Sequence, residues 1–191
     1  MFKSQITNEE INDLKPLQFE GQIHLISSDR QVESAVSELT NHKSIGFDTE
    51  TKPSFTKNRT NNVALLQLAT DNDAFLFRLK TIRNYKSITS ILSNPEIQKI
   101  GVAVNGDLKD LIKLNKFVPS NFIELQSYVK NFQIENIGLK KLCAIVLNGR
   151  ISKKQQRSNW EAPELSEAQL IYAATDAWAS LQIFKKLNTS L

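Results

Sequence analysis

The sequence predicts a mixed α/β fold, in which a central β-sheet is covered by α-helices. Three observations lead to this prediction. Short apolar runs of strand character come first, at residues 22–26, 44–50 and 63–79. Helical and strand patterns alternate after them, and a final run over residues 166–186 contains neither Gly nor Pro. Strands followed by strand–helix alternation are typical of one sheet with helices packed on it.

The length and composition fit one domain. The chain has 191 residues, of which 40% are hydrophobic and 23% charged, and these values are ordinary for a globular protein with a substantial core. Residues 1–18 are polar and weakly patterned, which indicates an arm or a short surface helix. We therefore expect an N-terminal arm over residues 1–20 and one domain over residues 21–191.

The single cysteine and the lack of long apolar runs bear on the compartment. Cys143 lies in an apolar helical pattern with Leu139, Leu142 and Val146, which predicts a buried packing residue in a reducing compartment. The N-terminus has no charged-then-apolar signal, and no apolar run approaches the roughly 18 residues that a membrane span needs. We expect a soluble, intracellular protein, located in the cytoplasm and without a membrane span.

The first half of the chain carries the strands of the predicted sheet. They are expected at Gln22–Ile26, 44–50, 63–69 and 74–79, the last two joined as a hairpin by a polar turn. Ser28 and Gln31 have the spacing of a capping box, which predicts a helix over about 29–40. A second helix ends at Asn94, before Pro95, and residues 51–62 are predicted to form a polar loop.

The second half is predicted to be mostly helical. A short strand over 99–104 should turn at Asn105-Gly106 into a helix, and further helices should follow near 125–132 and 138–147. A loop over 148–163 then leads to the last helix, whose start carries the capping-box pair Ser166 and Gln169.

Two carboxylates are predicted at the end of a buried strand. Asp48 and Glu50 follow the apolar Ile45-Gly46-Phe47, and side chains alternate along a strand, so both carboxylates should share a face while Thr49 faces the other way. Buried acids are costly unless they are hydrogen-bonded or bound to cations. A solvated strand end remains the alternative for this pair taken alone.

Two further acids occur at helical positions. Asp107 should open a helix after a short strand, where capping the helix is the simplest alternative role. Tyr172 and Asp176 are spaced i and i+4, so they lie on one face of the last helix, and Asp176 is too far from its start to cap it. A surface Asp beside a packed Tyr is the alternative there.

Taken together, the four acids are able to hold two divalent cations. Hydrolysis of a phosphodiester bond needs such ions, because the transition state places negative charge on oxygens that metal ions neutralise. Ligands that offer only oxygen favour Mg²⁺ or Mn²⁺. Neither His24 nor His42 lies among these acids or near Cys143, which argues against a zinc cluster or a Ser–His or Cys–His site, and no phosphate-binding glycine motif occurs.

A basic stretch precedes the last helix. Six basic residues lie between positions 131 and 160, against the single acid Glu135; they are Lys140, Lys141, Arg150, Lys153, Lys154 and Arg157. A basic surface beside an acidic metal site fits a polyanionic substrate, whose phosphates must be held. A solvated helix face is the alternative explanation for such a stretch.

Several segments, in this order, resemble the DEDD-type 3′–5′ exonuclease family, tyrosine subclass, which includes ribonuclease D and the Werner syndrome exonuclease. They are GFDTE at 46–50, VALLQLAT at 63–70, GVAVNGDLKDL at 101–111, SNW at 158–160 and YAATDAW at 172–178. The resemblance covers about residues 24–187. A sister subclass has a histidine where this chain has Ile171, so the tyrosine subclass fits. Glu124 departs from the Asp that relatives often have, and the loop over 51–62 is individual.

The resemblance implies a ribonuclease H-like fold with a mixed sheet of five or six strands. It also implies a nuclease that removes nucleoside 5′-monophosphates from single-stranded or frayed 3′ ends of DNA or RNA. It gives Asp48, Glu50, Asp107 and Asp176 as ligands of two metal ions, Mg²⁺ or Mn²⁺. Tyr172 would orient the attacking water, since its ordinary pKa near 10 makes it a poor base at neutral pH.

Substrate contacts are expected around these acids. Lys153 and Arg157 match basic positions of the family and should hold phosphates, and Thr49 lies between two of the acids. A pocket that unstacks the last base needs apolar or aromatic walls, for which Phe55, Leu66 and Trp160 are candidates. The alternative to an active nuclease is a nucleic-acid-binding or scaffold module that has lost catalysis, but neither an acid nor the tyrosine is missing.

Overall fold

A computed structural model of the protein describes residues 1–54 and 61–190. It has six strands in one mixed sheet, with the spatial order β1-β4-β3-β2-β5-β6. The strands are Gln22–Ile26 (β1), Ser44–Thr51 (β2), Val63–Ala69 (β3), Asp73–Arg78 (β4), Gln98–Gly101 (β5) and Phe122–Glu124 (β6). Strands β2, β3 and β4 pair antiparallel, whereas β1 on β4, β5 on β2 and β6 on β5 are parallel. The predicted α/β class is confirmed.

Helices cover both faces of the sheet. They are Asn8–Asp13 (α1), Asp29–Leu39 (α2), Lys86–Ser93 (α3), Val104–Leu114 (α4), Leu125–Tyr128 (α5), Leu139–Leu142 (α6) and Glu167–Asn188 (α7). A 3₁₀ turn over Val129–Phe132 continues α5, and a π-helical turn over Cys143–Leu147 continues α6, which together account for the two helices predicted near 125–132 and 138–147. None of the helices in the described ranges is long and apolar enough to cross a membrane.

The last helix packs closely against the central strand β2. Glycine in a strand often marks a close approach of another backbone, and a Cβ atom added to Gly46 would lie 1.9 Å from the Ala177 carbonyl oxygen. Helix α7 begins with the predicted capping box, in which Ser166 Oγ accepts from Gln169 N and Gln169 Oε1 accepts from Ser166 N. The close contact positions the middle of α7 over β2.

The join between β5 and α4 differs from the prediction. Strand β5 ends at Gly101 rather than at residue 104, Ala103 has a left-handed φ of 60°, and α4 begins at Val104. The predicted turn residue Gly106 lies inside the helix. The cause is distant in sequence: the Glu124 carboxylate accepts hydrogen bonds from the N–H groups of Ala103 and Val104 and fixes the chain there.

Two other local predictions need correction. The Ser28 side chain does not cap α2, because it donates instead to Gln31 Oε1, which also accepts from Ser27 N. Strand β6 was not predicted, since three residues are too short for a recognisable alternation. The N-terminal residues contain a short helix, α1, whose Ile11 is fully buried, and Phe19 is 4% exposed. The arm therefore packs on the rest of the chain.

Candidate active site

Three carboxylates meet between β2 and α7. Asp48 and Glu50 alternate with Thr49 along β2, and they lie on the face that α7 covers, as Gly46 does. Asp48, Glu50 and Asp176 each offer one carboxylate oxygen, and the three oxygens lie within 4.8 Å of one another. Glu50 is 8% exposed and Asp176 is 3% exposed, so these charges are held mostly away from water.

The electrostatics of this cluster favour the neutral acids. Burial, with added repulsion from Asp48, raises the pKa of Glu50 to about 9. Burial raises the pKa of Asp176 to about 6, although the Lys153 ammonium opposes the shift. The pKa of Asp48 is raised by burial and by the nearby carboxylates of Asp176 and Asp107. Positive charge placed among these oxygens would reverse the shifts.

The cluster has the chemistry of a divalent-cation site. Asp176 Oδ1 is buried and has no hydrogen-bond partner in the described parts of the chain. Such an oxygen is costly to bury unless a cation or a donor reaches it. Mutually close carboxylate oxygens are the ligands that hard divalent cations prefer. The residues present therefore fit the metal ions that the sequence led us to expect.

Asp107 lies beside this cluster and outside the group of three. It is in the first turn of α4, and the N-cap of that helix is Ala103, so the capping alternative for Asp107 does not hold. Its Oδ1 accepts a hydrogen bond of 2.6 Å from Thr49 Oγ1, and its charge is near enough to contribute to the raised pKa of Asp48. Burial raises the pKa of Asp107 to about 6. Thr49 thus contacts a predicted metal ligand.

Tyr172 faces the cluster from α7, one turn before Asp176. Its side chain is 5% exposed, and its ring packs on Trp160 with 5.9 Å between the centroids. Burial, together with the carboxylates of Asp176 and Glu50, raises the pKa of Tyr172 above its ordinary value. The phenol therefore keeps its proton at neutral pH and acts as a neutral hydroxyl.

The predicted substrate-binding residues differ in how accessible they are to a substrate. Lys153 Nζ lies 3.8 Å from Asp176 Oδ2, which places this cation at the carboxylates themselves, and Arg157 is exposed on the loop nearby. Trp160 is 1% exposed, and Leu66 is fully buried as the β3 partner of Thr49, so in this conformation neither offers surface to a ligand. Phe55 lies outside the described residues.

Sequence reasoning missed two contacts that shape the site. Gly46 allows α7 to approach β2, and its signal was a lone glycine within an apolar strand. The arm is tied to α7 beside the cluster, where Phe19 N donates a 3.0 Å hydrogen bond to Thr175 Oγ1. No local pattern in the sequence announces this second contact, because the two residues are far apart in the chain.

The mixed sheet and the acidic cluster define an α/β protein with a candidate cation-binding centre. A family profile described as 3′-5′ exonuclease matches residues 23–191. The chain therefore belongs to the 3′–5′ exonuclease family, and its DEDD-type resemblance is confirmed.

Individual relatives agree with this assignment. The chain is 31% identical over 157 residues to the bifunctional 3′-5′ exonuclease/ATP-dependent helicase WRN of Mus musculus, covering 75% of this chain and 11% of that protein. It is 26% identical over 166 residues to ribonuclease D of Serratia proteamaculans, covering 85% of this chain and 43% of that protein. The chain thus spans less than half the length of these two relatives.

A solved structure agrees over most of both chains. The crystal structure of the Aedes aegypti Nibbler EXO domain superposes with a TM-score of 0.81 at 25% identity, covering 92% of each chain. The predicted ribonuclease H-like fold is therefore confirmed.

Proposed function

We propose that the protein is a metal-dependent 3′–5′ exonuclease that removes nucleotides from single-stranded or frayed 3′ ends of DNA or RNA and releases nucleoside 5′-monophosphates. The observation that carries the proposal is the meeting of Asp48, Glu50 and Asp176 within 4.8 Å. Membership of the exonuclease family supports the same reaction. The cytoplasm, expected from the sequence, is the proposed location.

The four acids are the proposed ligands of two cations, Mg²⁺ or Mn²⁺. Asp48 and Asp176 would hold one ion, and Asp48 would hold the second together with Glu50 and, through water, Asp107. When bound, such ions supply a nucleophilic water at neutral pH and neutralise charge on the phosphate and the leaving 3′ oxygen. The hydrogen bond from Thr49 occupies Oδ1 of Asp107, so Asp107 would take part through Oδ2.

The remaining side chains position the reactants. Tyr172 stays protonated because its pKa is raised, so its hydroxyl orients the attacking water rather than taking the proton from it. Lys153 lies close enough to Asp176 to contact a phosphate oxygen beside the cluster, and Arg157 offers a second cation on the loop. Trp160 supports the Tyr172 ring from beneath.

The test is a time course on 5′-labelled single-stranded and recessed-end DNA and RNA, with Mg²⁺, Mn²⁺ or EDTA. We expect a ladder that shortens from the 3′ end with either metal and is absent with EDTA. Asp176→Asn should abolish it, while Asp13→Asn, which changes an exposed acid of the arm, should not. Full turnover by Asp176→Asn would contradict the site assignment, and intact substrate with retained binding would favour the inactive module.

A further inference from the structure

A cavity of about 510 Å³ lies beside the carboxylate cluster. Tyr172 and Asp176 line one side of it, together with Ala168, Ile171 and Thr175 of the same helix. The opposite walls come from the N-terminal arm, at residues 11, 12 and 16–18, and from residues 150–155 after α6. Its volume is within the range of pockets that bind small ligands.

The arm is fixed as a wall by backbone hydrogen bonds. Leu17 N donates to the Arg150 carbonyl at 2.8 Å, and Arg150 N donates to the Lys15 carbonyl at 2.9 Å. The Arg150 side chain adds a 2.8 Å bond from Nε to the Leu14 carbonyl. The wall-forming residues of the arm precede the region 23–191 that the family profile matches.

The lining of the cavity is strongly basic. Its cations are Lys140, Arg150, Lys153 and Lys154. The only acid among its described lining residues is Asp176, which already lies beside Lys153. Neither Lys140 nor Lys154 forms an ion pair with any described residue. Unpaired cations in a recess attract an anion with several charges.

We infer that this cavity binds the phosphodiester backbone of the substrate strand on the 5′ side of the bond that is cut. The inference rests on the proposed function, since it takes the scissile phosphate to lie at the carboxylates. A strand presents repeated phosphates to several cations, whereas a released mononucleotide presents one. The apolar side chains of Leu17, Ile151 and Ile171 also line the cavity and suit the sugars and bases between phosphates. The arm is thereby part of the nucleic-acid-binding surface.

The first test measures binding of a fluorescent 12-nucleotide single strand in EDTA at several salt concentrations. The double variant Lys140→Ala/Lys154→Ala should bind about tenfold more weakly, and its log–log salt slope should fall by about 0.7 for each phosphate that the lysines no longer neutralise. Lys141→Ala is the matched control, because Lys141 neighbours Lys140 on α6 but does not line the cavity. Equal affinities in all three proteins would overturn the inference.

A second variant tests the arm itself. Gln18→Glu places a carboxylate on the arm's wall without changing the size of the side chain, and Gln18 is exposed, so folding should not suffer. It should weaken binding of the oligonucleotide severalfold at low salt and much less at high salt. Unchanged binding by Gln18→Glu would show that the arm is not part of the nucleic-acid-binding surface.

Hydrolysis separates failure of this inference from failure of the proposed function. Thymidine 5′-p-nitrophenyl phosphate carries a terminal nucleotide but no strand on its 5′ side. The ratio of kcat/KM for the oligonucleotide to that for this small substrate should fall about tenfold in the double variant and stay constant in Lys141→Ala. If the unaltered protein cleaves neither substrate, the proposed function fails. If the double variant is no longer inhibited by thymidine 5′-monophosphate but keeps its oligonucleotide KM, the cavity holds the product and the inference is wrong.

Discussion

Replacing Glu50 by Gln should stabilise the metal-free protein at neutral pH. Glu50 is 8% exposed and lies with Asp48 and Asp176 in the carboxylate cluster. Its pKa rises from an ordinary 4.5 to about 9 in the folded protein, first through burial and then through repulsion from Asp48. Gln has nearly the same shape and never carries the charge that this site disfavours.

The expected size follows from the pKa shift. The folded state holds the Glu50 proton more tightly than the unfolded state, so stability is lost as pH rises from 4.5 towards 9. A shift of one pKa unit corresponds to about 1.4 kcal/mol, so at pH 7 the raised pKa of Glu50 lowers the free energy of unfolding by about 3 kcal/mol. For a chain of this length, that corresponds to a rise in Tm of about 6–12 °C for Glu50→Gln. Below pH 4.5 both side chains are neutral and the advantage should vanish.

Urea denaturation in EDTA at pH 4, 5.5 and 7 measures this difference. Glu33→Gln, at an exposed position of α2, is the control and should change little at any pH. Adding Mn²⁺ should raise the Tm of the unaltered protein more than that of Glu50→Gln, because only the former keeps the full ligand set. The reasoning would be refuted if Glu50→Gln were no more stable than the unaltered protein at pH 7. It would also be refuted if the variant had the same stability advantage at pH 4 as at pH 7.

Three further substitutions test how the site is supported. Tyr172→Phe should lower kcat for 3′ cleavage about 100-fold but leave the Tm unchanged, because the ring still packs on Trp160. An unchanged kcat in a steady-state assay would show that the hydroxyl plays no part in the reaction. Gly46→Ala should cost about 3 kcal/mol in urea denaturation, since its Cβ would lie 1.9 Å from the Ala177 carbonyl oxygen; a protein of full stability would show that α7 shifts freely. Glu124→Ala should cost about 1–2 kcal/mol, because its carboxylate accepts from two N–H groups at the start of α4; an unchanged unfolding midpoint would contradict that capping role.

Much of the fold could be predicted because its main elements have strong local patterns. Strand β1 and strand β3 were predicted with the bounds that the structure has, and α7 was predicted within two residues at its end. The capping box at Ser166 and the alternation of Asp48 and Glu50 are rules of neighbouring residues, and both hold. The grouping of the acids was predicted from their positions on the expected strand and helices together with the resemblance to the family.

The rest depended on contacts between distant segments. The end of β5 and the start of α4 are set by Glu124, which lies on β6 and reaches back to Ala103. No local pattern around residue 103 encodes a left-handed residue there, because the carboxylate that stabilises it comes from another strand. The position of Asp107 depends on this join, so its hydrogen bond with Thr49 was equally out of reach.

The carboxylates of the candidate site therefore destabilise the fold locally, and contacts between distant segments hold them in place. Burial raises the pKa values of Asp48, Glu50 and Asp176, and repulsion between carboxylates raises those of Asp48 and Glu50 further. The fold tolerates this repulsion because β2 is paired on both sides within the sheet and α7 packs closely against it at Gly46. Any protein that gathers acids in this way must lose stability unless a cation joins them. The same reasoning explains why relaxing the repulsion at Glu50 should strengthen the fold and weaken cation binding together.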